Sequence, residues 1–294
     1  MWIVLALLAA SASAATSLLL KRAVSVAGVV VSTVAFRVVA GVILLLASLR
    51  AEAWHALTPT YWRATAVVIP NEIGGMLCLS LALSLGDVSV VQPIMGFIPL
   101  FTMIGGAFFL HELPSPIAVV GILLIVFGLY FVGLRRGGSA WDPLRAFATQ
   151  RASWYGLLAA LFWTVTSLTH KVGIGQVGPM PWATTLTLGS GLVLALALPF
   201  VARTPGGLGP PSAENRLPWT LVVLAIAVSF AVQQVGLHNA LRRAQAGYVM
   251  AVVSTSILIA TTVGVLVLRE RGGSHRITGA LLVSSGVALI ARFG

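Results

Sequence analysis

Two opposite charges lie near the middles of apolar segments, where a charge is costly. Arg37 is close to the centre of the apolar run 27–49, and Glu72 is close to the centre of the run 62–84. A charged side chain at the centre of a bilayer costs roughly 2.5–3.5 kcal/mol on insertion scales, so it needs a partner, a cavity or a function. We therefore expect Arg37 and Glu72 to face the interior of a helix bundle, where they form a structural ion pair or together contact a solute.

Glu72 is also the candidate for proton coupling, because a buried carboxylate can lose its charge by taking up a proton. Other polar or aromatic side chains within apolar runs complete the expected solute-binding site: Asn71, Gln92, Trp163, Gln233 and Gln234. For the mid-span Trp163, packing in the core is the alternative interpretation.

Three prolines within the apolar runs predict kinks. Pro70, Pro93 and Pro99 each remove a backbone donor and thereby free a carbonyl oxygen. Membrane helices tolerate such breaks where they line a cavity. We expect these prolines to open a central vestibule and to allow gating, with a static kink as the alternative for each one.

The composition excludes a soluble globular protein. The 294-residue chain is 58% hydrophobic and 9% charged, whereas soluble domains carry about 25% charged residues. Its apolar runs approach the roughly 20 residues with which a helix crosses a bilayer, and they lack the alternation of membrane β-strands. The sequence predicts an all-α polytopic protein, integral to the plasma (inner) membrane and surrounded by lipid.

The positive charge of the chain does not indicate nucleic-acid binding. The formal net charge is +11, but Lys and Arg are scattered at the ends of the apolar runs, where they anchor helices and set topology. Counted over the loops, these charges favour both termini outside. Cys78 is the only cysteine, so no intramolecular disulfide can form.

The apolar runs predict ten transmembrane helices in two halves. Residues 1–134 form the first five-helix repeat, 135–151 a linker loop, and 152–294 the second repeat. The first run resembles a signal peptide, but no positive charge precedes it, so we interpret it as a membrane helix. The predicted spans are 2–20, 27–49, 62–84, 88–110, 115–134, 152–170, 180–201, 218–240, 246–268 and 274–292.

A segment of the first half recurs in the second. Ala82–Leu134 aligns without a gap with Ala240–Arg292, which begins 158 positions later, and this register pairs Glu112 with Glu270. The same register pairs three glycines with glycines: Gly106 with Gly264, Gly121 with Gly279, and Gly128 with Gly286. The front parts of the halves align more weakly, at an offset near 150.

Because each half has an odd number of helices, the second half enters the membrane with inverted orientation. Inverted repeats are a recurrent plan of secondary transporters, with the substrate site near the midplane between the repeats. We expect Glu112 and Glu270 to cap the N-termini of the fifth and tenth helices, or to form a gating salt bridge.

These patterns resemble the drug/metabolite transporter superfamily, in particular its EamA-type ten-helix transporters. The resemblance rests on Arg37, Pro99 and two sets of repeated motifs: Ala82-Leu83, Leu110-His111-Glu112 and Gly121 with Gly128, then Ala240-Leu241, Leu268-Arg269-Glu270-Arg271 and Gly279 with Gly286. The resemblance implies a secondary transporter active in efflux of small organic solutes such as amino acids or related metabolites. It also implies cytoplasmic termini, in conflict with the charge count.

Other functions have less support in the sequence. The chain has neither a GxxxxGK[ST] phosphate loop nor a His/Cys/carboxylate cluster with metal-ligand spacing, so we expect no enzyme, no cofactor and no bound metal. One alternative is a divalent-cation (magnesium-like) carrier of the same superfamily, although such ions prefer several oxygen ligands. Another is a non-transporting partner subunit or an intramembrane enzyme. Substrate, coupling ion, and monomer or homodimer stay open.

Overall fold

The computed structural model describes residues 1–50, 54, 57–85, 91, 94–133, 150–201, 213–268 and 274–294. These residues are almost all helical, and none of them forms a β-strand. The helices are α1 (Trp2–Ala27), α2 (Val29–Ser48), α3 (Pro59–Leu85), α4 (Ile98–Phe109), α5 (Pro116–Gly133), α6 (Arg151–Val177), α7 (Pro179–Val201), α8 (Ala213–Leu241), α9 (Ala246–Val253), α10 (Ser256–Leu268) and α11 (Ser274–Phe293).

Helices occupy the described parts of all ten predicted spans. Five of them, α1, α2, α3, α6 and α8, are long and apolar enough to cross a membrane, and α4, α5, α9 with α10, and α11 contribute shorter apolar stretches. Several helices continue past their predicted ends, since α1 runs to Ala27 rather than 20 and α6 to Val177 rather than 170.

The turn between the first two helices of each half is the same. Gly28 has φ 75° and ψ 169°, and Gly178, which follows it by 150 positions, has φ 83° and ψ 170°. Only glycine adopts this backbone region without substantial strain. In both turns the glycine N–H donates to the carbonyl four residues earlier, at 2.9 Å. The front parts of the two halves thus repeat at the offset that the sequence predicts.

The fourth helix of each half is interrupted at the same register. The interruption lies at Gly96 and Phe97 in the first half and at Ser254 and Thr255, 158 positions later, in the second. In each case an N–H of the second residue donates to the carbonyl three residues earlier, at 3.1 Å. The predicted span 246–268 is therefore two helices, α9 and α10.

Helices of the first half pack mainly against helices of the second. The most extensive contacts join α5 to α11, α3 to α6, α1 to α8 and α2 to α7, and α4 packs on α9. Exchange of the two halves converts the α1–α8 pair into the α6–α3 pair and leaves the α5–α11 and α2–α7 pairs unchanged. The packing therefore has the symmetry expected of two related halves.

The α5–α11 pair shows this symmetry in atomic detail. Gly121 lies against Gly286, and Gly128 lies against Gly279; these are the glycines that the 158-residue register matches. A Cβ atom on any of the four would lie 2.5–2.9 Å from the carbonyl oxygen of its opposite glycine. Such small residues allow close approach of helix backbones within a membrane.

Candidate functional site

The two midplane charges form a buried ion pair. Arg37 projects from α2 and Glu72 from α3, and their side chains belong to residues that are 4% and 9% exposed. Arg37 Nη2 donates to Glu72 Oε1 at 2.5 Å. The pairing that the sequence predicts is thus present, and it leaves the bundle interior neutral at this point.

Arg37 also contacts two helices of the second half. Its Nη1 donates to Ser190 Oγ of α7 at 2.8 Å, and its guanidinium carbon lies 5.1 Å from the ring centroid of Phe230 on α8. Gly191 allows this approach, because a Cβ there would lie 3.2 Å from the Cβ of Arg37. One guanidinium therefore connects four helices from both halves.

The second half has a neutral pair at the equivalent place. Thr187 follows Arg37 by 150 positions, and Gln234 lies one turn beyond Phe230, which follows Glu72 by 158. Gln234 Nε2 reaches Thr187 Oγ1 at 3.5 Å, the long limit of a hydrogen bond. The interior is thus charged on the side of the first half and only polar on the other.

This arrangement suits reversible recognition of a charged or zwitterionic group. An anionic group can replace Glu72 as the partner of Arg37, and a cationic group can replace Arg37 as the partner of Glu72. Arg37 Nε has no hydrogen-bond partner among the described residues, so the guanidinium has a donor in reserve. Planar guanidinium donors match carboxylate oxygens well.

Asn71, Trp163 and Gln233, also predicted at the site, form no hydrogen bond to the ion pair among the described residues. The Asn71 amide donates to the Val67 carbonyl of its own helix at 2.8 Å. Trp163 packs on α3 at Gly75, where a Cβ would lie 2.8 Å from Trp163 Nε1. Gln233 is only half-buried, whereas the neighbouring Gln234 is buried.

The described prolines do not act alike. Pro70 lies inside the continuous helix α3, whereas Pro99 is the second residue of α4. At such a position the missing N–H would be unpaired anyway. Pro99 thus begins a helix directly after the interruption at Gly96 and Phe97, and its expected role in gating stays a prediction. Gln92 and Pro93 lie outside the described residues.

Two buried histidines near this site escape the sequence analysis. His170 of α6 and His238 of α8 are 4% and 0% exposed, with ring centroids 4.6 Å apart. The predicted span 152–170 places His170 at a helix end, where it would be interfacial, but α6 continues to Val177. The available signal for His238 is its spacing, because Phe230, Gln234 and His238 recur every four residues on one helix face.

Trp182 is likewise buried, although its position near a predicted span end suggests an aromatic belt. It is fully buried, and its Nε1 donates to His170 Nδ1 at 3.0 Å. The reason is the tight turn at Gly178, which folds the start of α7 directly onto α6.

Glu112 caps a different helix from the one expected. Its Oε2 accepts the N–H of Ala246, the first residue of α9, at 2.7 Å, while Ser115 Oγ accepts the N–H of Ala118 in the first turn of α5. Glu112 Oε1 also pairs with Lys171 of α6 at 2.7 Å. The corner between α4 and α5 is therefore tied to the second half. Its repeat counterpart, Glu270, lies outside the described residues.

Lys171 extends this ionic contact to the end of α8. Its Nζ donates to the carbonyls of Leu241 and Ala244 at 2.9 and 2.7 Å. A cation suits this position because the last carbonyls of a helix carry partial negative charge. The Glu112–Lys171 pair thus holds together the corner after α4, an interior position of α6, the end of α8 and the start of α9.

Comparison with known proteins gives a family and a fold. A family model described as the EamA-like transporter family matches residues 1–134 and 150–292. No curated protein matches the chain. One solved crystal structure is similar with a TM-score of 0.75 over 98% of this chain and 95% of the other, at 16% sequence identity. At that identity, the match shows a shared fold alone.

Proposed function

Because the chain belongs to the EamA-like transporter family, we propose that it exports a small organic solute across the plasma (inner) membrane. The solute class is amino acids or related metabolites, and the mechanism is alternating access between two inverted five-helix halves. The observation that carries the proposal is the buried Arg37, which pairs with Glu72 of its own half and contacts Ser190 and Phe230 of the other.

The ten-span topology is part of this proposal. In it, α9 and α10 together form one interrupted span, and the residues before α4 form the matching interruption in the first half. The exchange symmetry of the helix pairs supports this topology, as do the paired glycines of α5 and α11. Interrupted helices near the midplane are common at transporter binding sites.

Binding is proposed to proceed by partner exchange at Arg37. The carboxylate of a solute takes Arg37 from Glu72, and Gln234 and Ser190 complete its hydrogen bonds. Glu72 then lacks a counter-charge in a medium of low dielectric constant, which is costly. A proton or the ammonium group of the solute restores neutrality. Where a proton does so, the negative charge of Glu72 is what couples transport to protons.

Counterflow in proteoliposomes tests the function. Purified protein is reconstituted with an unlabelled solute inside, and uptake of the labelled solute is measured for a panel of amino acids, drugs and divalent ions. Uptake of one or more organic solutes is expected, and protein-free liposomes are the control. Uptake of Mg²⁺ alone contradicts the proposal in favour of the cation carrier, and no counterflow at all favours a non-transporting protein.

A further inference from the structure

The histidine pair His170–His238 is a second buried polar cluster, distinct from the Arg37–Glu72 ion pair. The two rings meet edge to face, at 75°. Buried polar groups in membrane helices are rare and mark functional pathways by default. The surrounding hydrogen bonds determine which ring nitrogens of the two histidines have a hydrogen.

The outer hydrogen bonds fix the tautomer of each neutral ring. The indole N–H of Trp182 can only donate, so His170 Nδ1 accepts at 3.0 Å and the hydrogen of His170 is on Nε2. His238 Nδ1 lies 2.7 Å from the Gln234 carbonyl oxygen, which can only accept, so the hydrogen of His238 is on Nδ1. His238 Nε2 is therefore a bare lone pair.

That lone pair has no protein partner. His238 is fully buried, and no described group forms a hydrogen bond to its Nε2. A buried acceptor without a partner has lost its hydration with nothing in exchange, which is unfavourable. A bound proton turns this unpaired acceptor into a donor.

The donor set fits a proton better than a metal ion. Both Nδ1 atoms are engaged in hydrogen bonds, and Nε2 of neutral His170 has its hydrogen. Only His238 Nε2 is free to coordinate, whereas protein sites for transition metals provide three or four ligands.

The charges that face His238 come from the elements packed around it. The ring of His170 on α6 lies against that of His238, with centroids 4.6 Å apart, and the neighbouring ion pair consists of Glu72 of α3 and Arg37 of α2. At the end of α8, Lys171 is bound to the carbonyl of Leu241 and balanced by Glu112. Once Arg37 has left, Glu72 is thus the carboxylate whose negative charge a positive charge on His238 offsets.

We propose that the His170–His238 pair binds one proton of the transport cycle, at His238 Nε2. Hydronium transfers its proton to the ring nitrogen: the N–H bond forms as one O–H bond of hydronium breaks and leaves water. The reverse transfer from the imidazolium to water restores the neutral ring. This inference rests on the proposed function. It places the proton that compensates Glu72 on the histidine rather than on the carboxylate.

The position of the pair indicates its route to water. His170 is followed directly by Lys171, and His238 lies three residues before Leu241, whose carbonyl Lys171 holds. The histidines are therefore immediately inside the Glu112–Lys171 contact. Separation of that contact admits water, and with it the proton, to His238.

Nuclear magnetic resonance of ring nitrogens tests the site without any solute. Protein with ¹⁵N-labelled histidines is placed in lipid nanodiscs and titrated between about pH 5 and 8, where histidine ordinarily changes charge. His170→Asn and His238→Asn assign the signals. We expect an Nε2–H tautomer for His170, an Nδ1–H tautomer for His238, and uptake of one proton seen by both rings at a common midpoint. Two rings that stay neutral, or that titrate independently, overturn the proposal.

Transport tests the role of the proton. His238→Asn keeps a donor for the Gln234 carbonyl but removes the titratable nitrogen, and His111→Asn alters an exposed histidine at a corner where φ is 56°. With one proton exchanged per solute, a pH difference of one unit supports about tenfold accumulation. We expect this accumulation in the wild type and His111→Asn, and its loss in His238→Asn with counterflow retained.

The outcomes separate the two proposals. Tenfold accumulation by His238→Asn overturns the proton site and leaves the transporter in place. Failure of the wild type to move any solute in the counterflow panel overturns the proposed function, and the transport role of the histidines with it.

Discussion

Arg37 has a partner at each terminal nitrogen and an aromatic ring against its guanidinium, and these contacts come from different halves of the molecule. Glu72 neutralises it, Ser190 accepts a second hydrogen bond, and the Phe230 ring covers it. An ion pair that served stability alone would need only Glu72. The contacts to α7 and α8 make the side chain sensitive to the relative position of the halves.

Paired substitutions separate the structural role of this ion pair from its functional one. Arg37→Met leaves a buried carboxylate unpaired and should lower the free energy of unfolding by roughly 3–5 kcal/mol. The double variant Arg37→Met with Glu72→Met removes both charges and should regain most of that loss, since apolar replacements of buried pairs are often neutral. Thermal unfolding in detergent measures both effects.

The same double variant should be inactive in counterflow, because it lacks both charges of the binding site. Arg63→Met, on an exposed part of α3, is the control and should change neither property appreciably. A double variant that is stable and transports at the wild-type rate would show that the ion pair is architectural.

Sequence reasoning succeeds for Arg37 and Glu72 because a charge within an apolar run is conspicuous without any coordinates. It fails for His170, because α6 continues beyond the predicted end of its span. It also fails for Trp182, because the tight turn at Gly178 buries a side chain whose position near a span end suggests an exposed aromatic belt. Asn71 was expected at the site from its position alone, but its amide bonds to its own helix.

At the scale of the elements, the two halves share backbone interruptions at matching positions even where the residues at those positions differ. The interruption before α4 has Pro99 just after it, yet the one before α10 has Ile257 at the matching place. In the second half, the hydroxyls of Ser254 and Thr255 bond to the carbonyls of Met250 and Val252. Both carbonyls also accept a backbone N–H, from Ser254 and Thr255 respectively. No proline pattern predicts that break, because the second half has no proline there.

The glycine contact between α5 and α11 predicts a specific sensitivity to size. In Gly286→Ala the new Cβ would lie 2.5 Å from the Gly121 oxygen, and such overpacking costs about 1–3 kcal/mol. Gly175→Ala on α6 is the matched control, since nothing lies within 4 Å of its Cβ position and alanine favours a helix. Thermal unfolding should show a lower stability for Gly286→Ala than for Gly175→Ala. Equal stability of the two variants would show that α5 and α11 can move apart without cost.

The Glu112–Lys171 contact predicts coupling between the corner of the first half and α6. In a double-mutant cycle with Glu112→Gln and Lys171→Met, the two losses of unfolding free energy should be non-additive by about 1 kcal/mol, because the charge-assisted bond is lost only once. Arg243→Met, which removes exposed bonds from the turn after α8 to Asn239 of α8, is the control. Additive losses would show that the contact does not hold the two halves together.

At the scale of the whole molecule, the packing is organised across the halves rather than within them. The order of apolar runs predicts the helices, and the 158- and 150-residue registers predict the repeat. The three-dimensional arrangement of the two halves determines which helices pack together. A single sequence does not give the distance between α1 and α8. The symmetric pairing is therefore a result of the structure, and it places Arg37 on the boundary between the halves that the proposed alternating access would move.

Accessibility of Ser190 from the two sides of the membrane tests alternating access at this boundary most directly. Ser190→Cys is made in a Cys78→Ala background, which removes the only native cysteine, and Gly175→Cys on α6 is the control. Impermeant thiol reagents are applied to oriented vesicles from either side. We expect Ser190→Cys to react from both sides, with the transported solute raising reactivity on one side and lowering it on the other. Reaction from one side only, unchanged by solute, would contradict alternating access at the Arg37–Glu72 site.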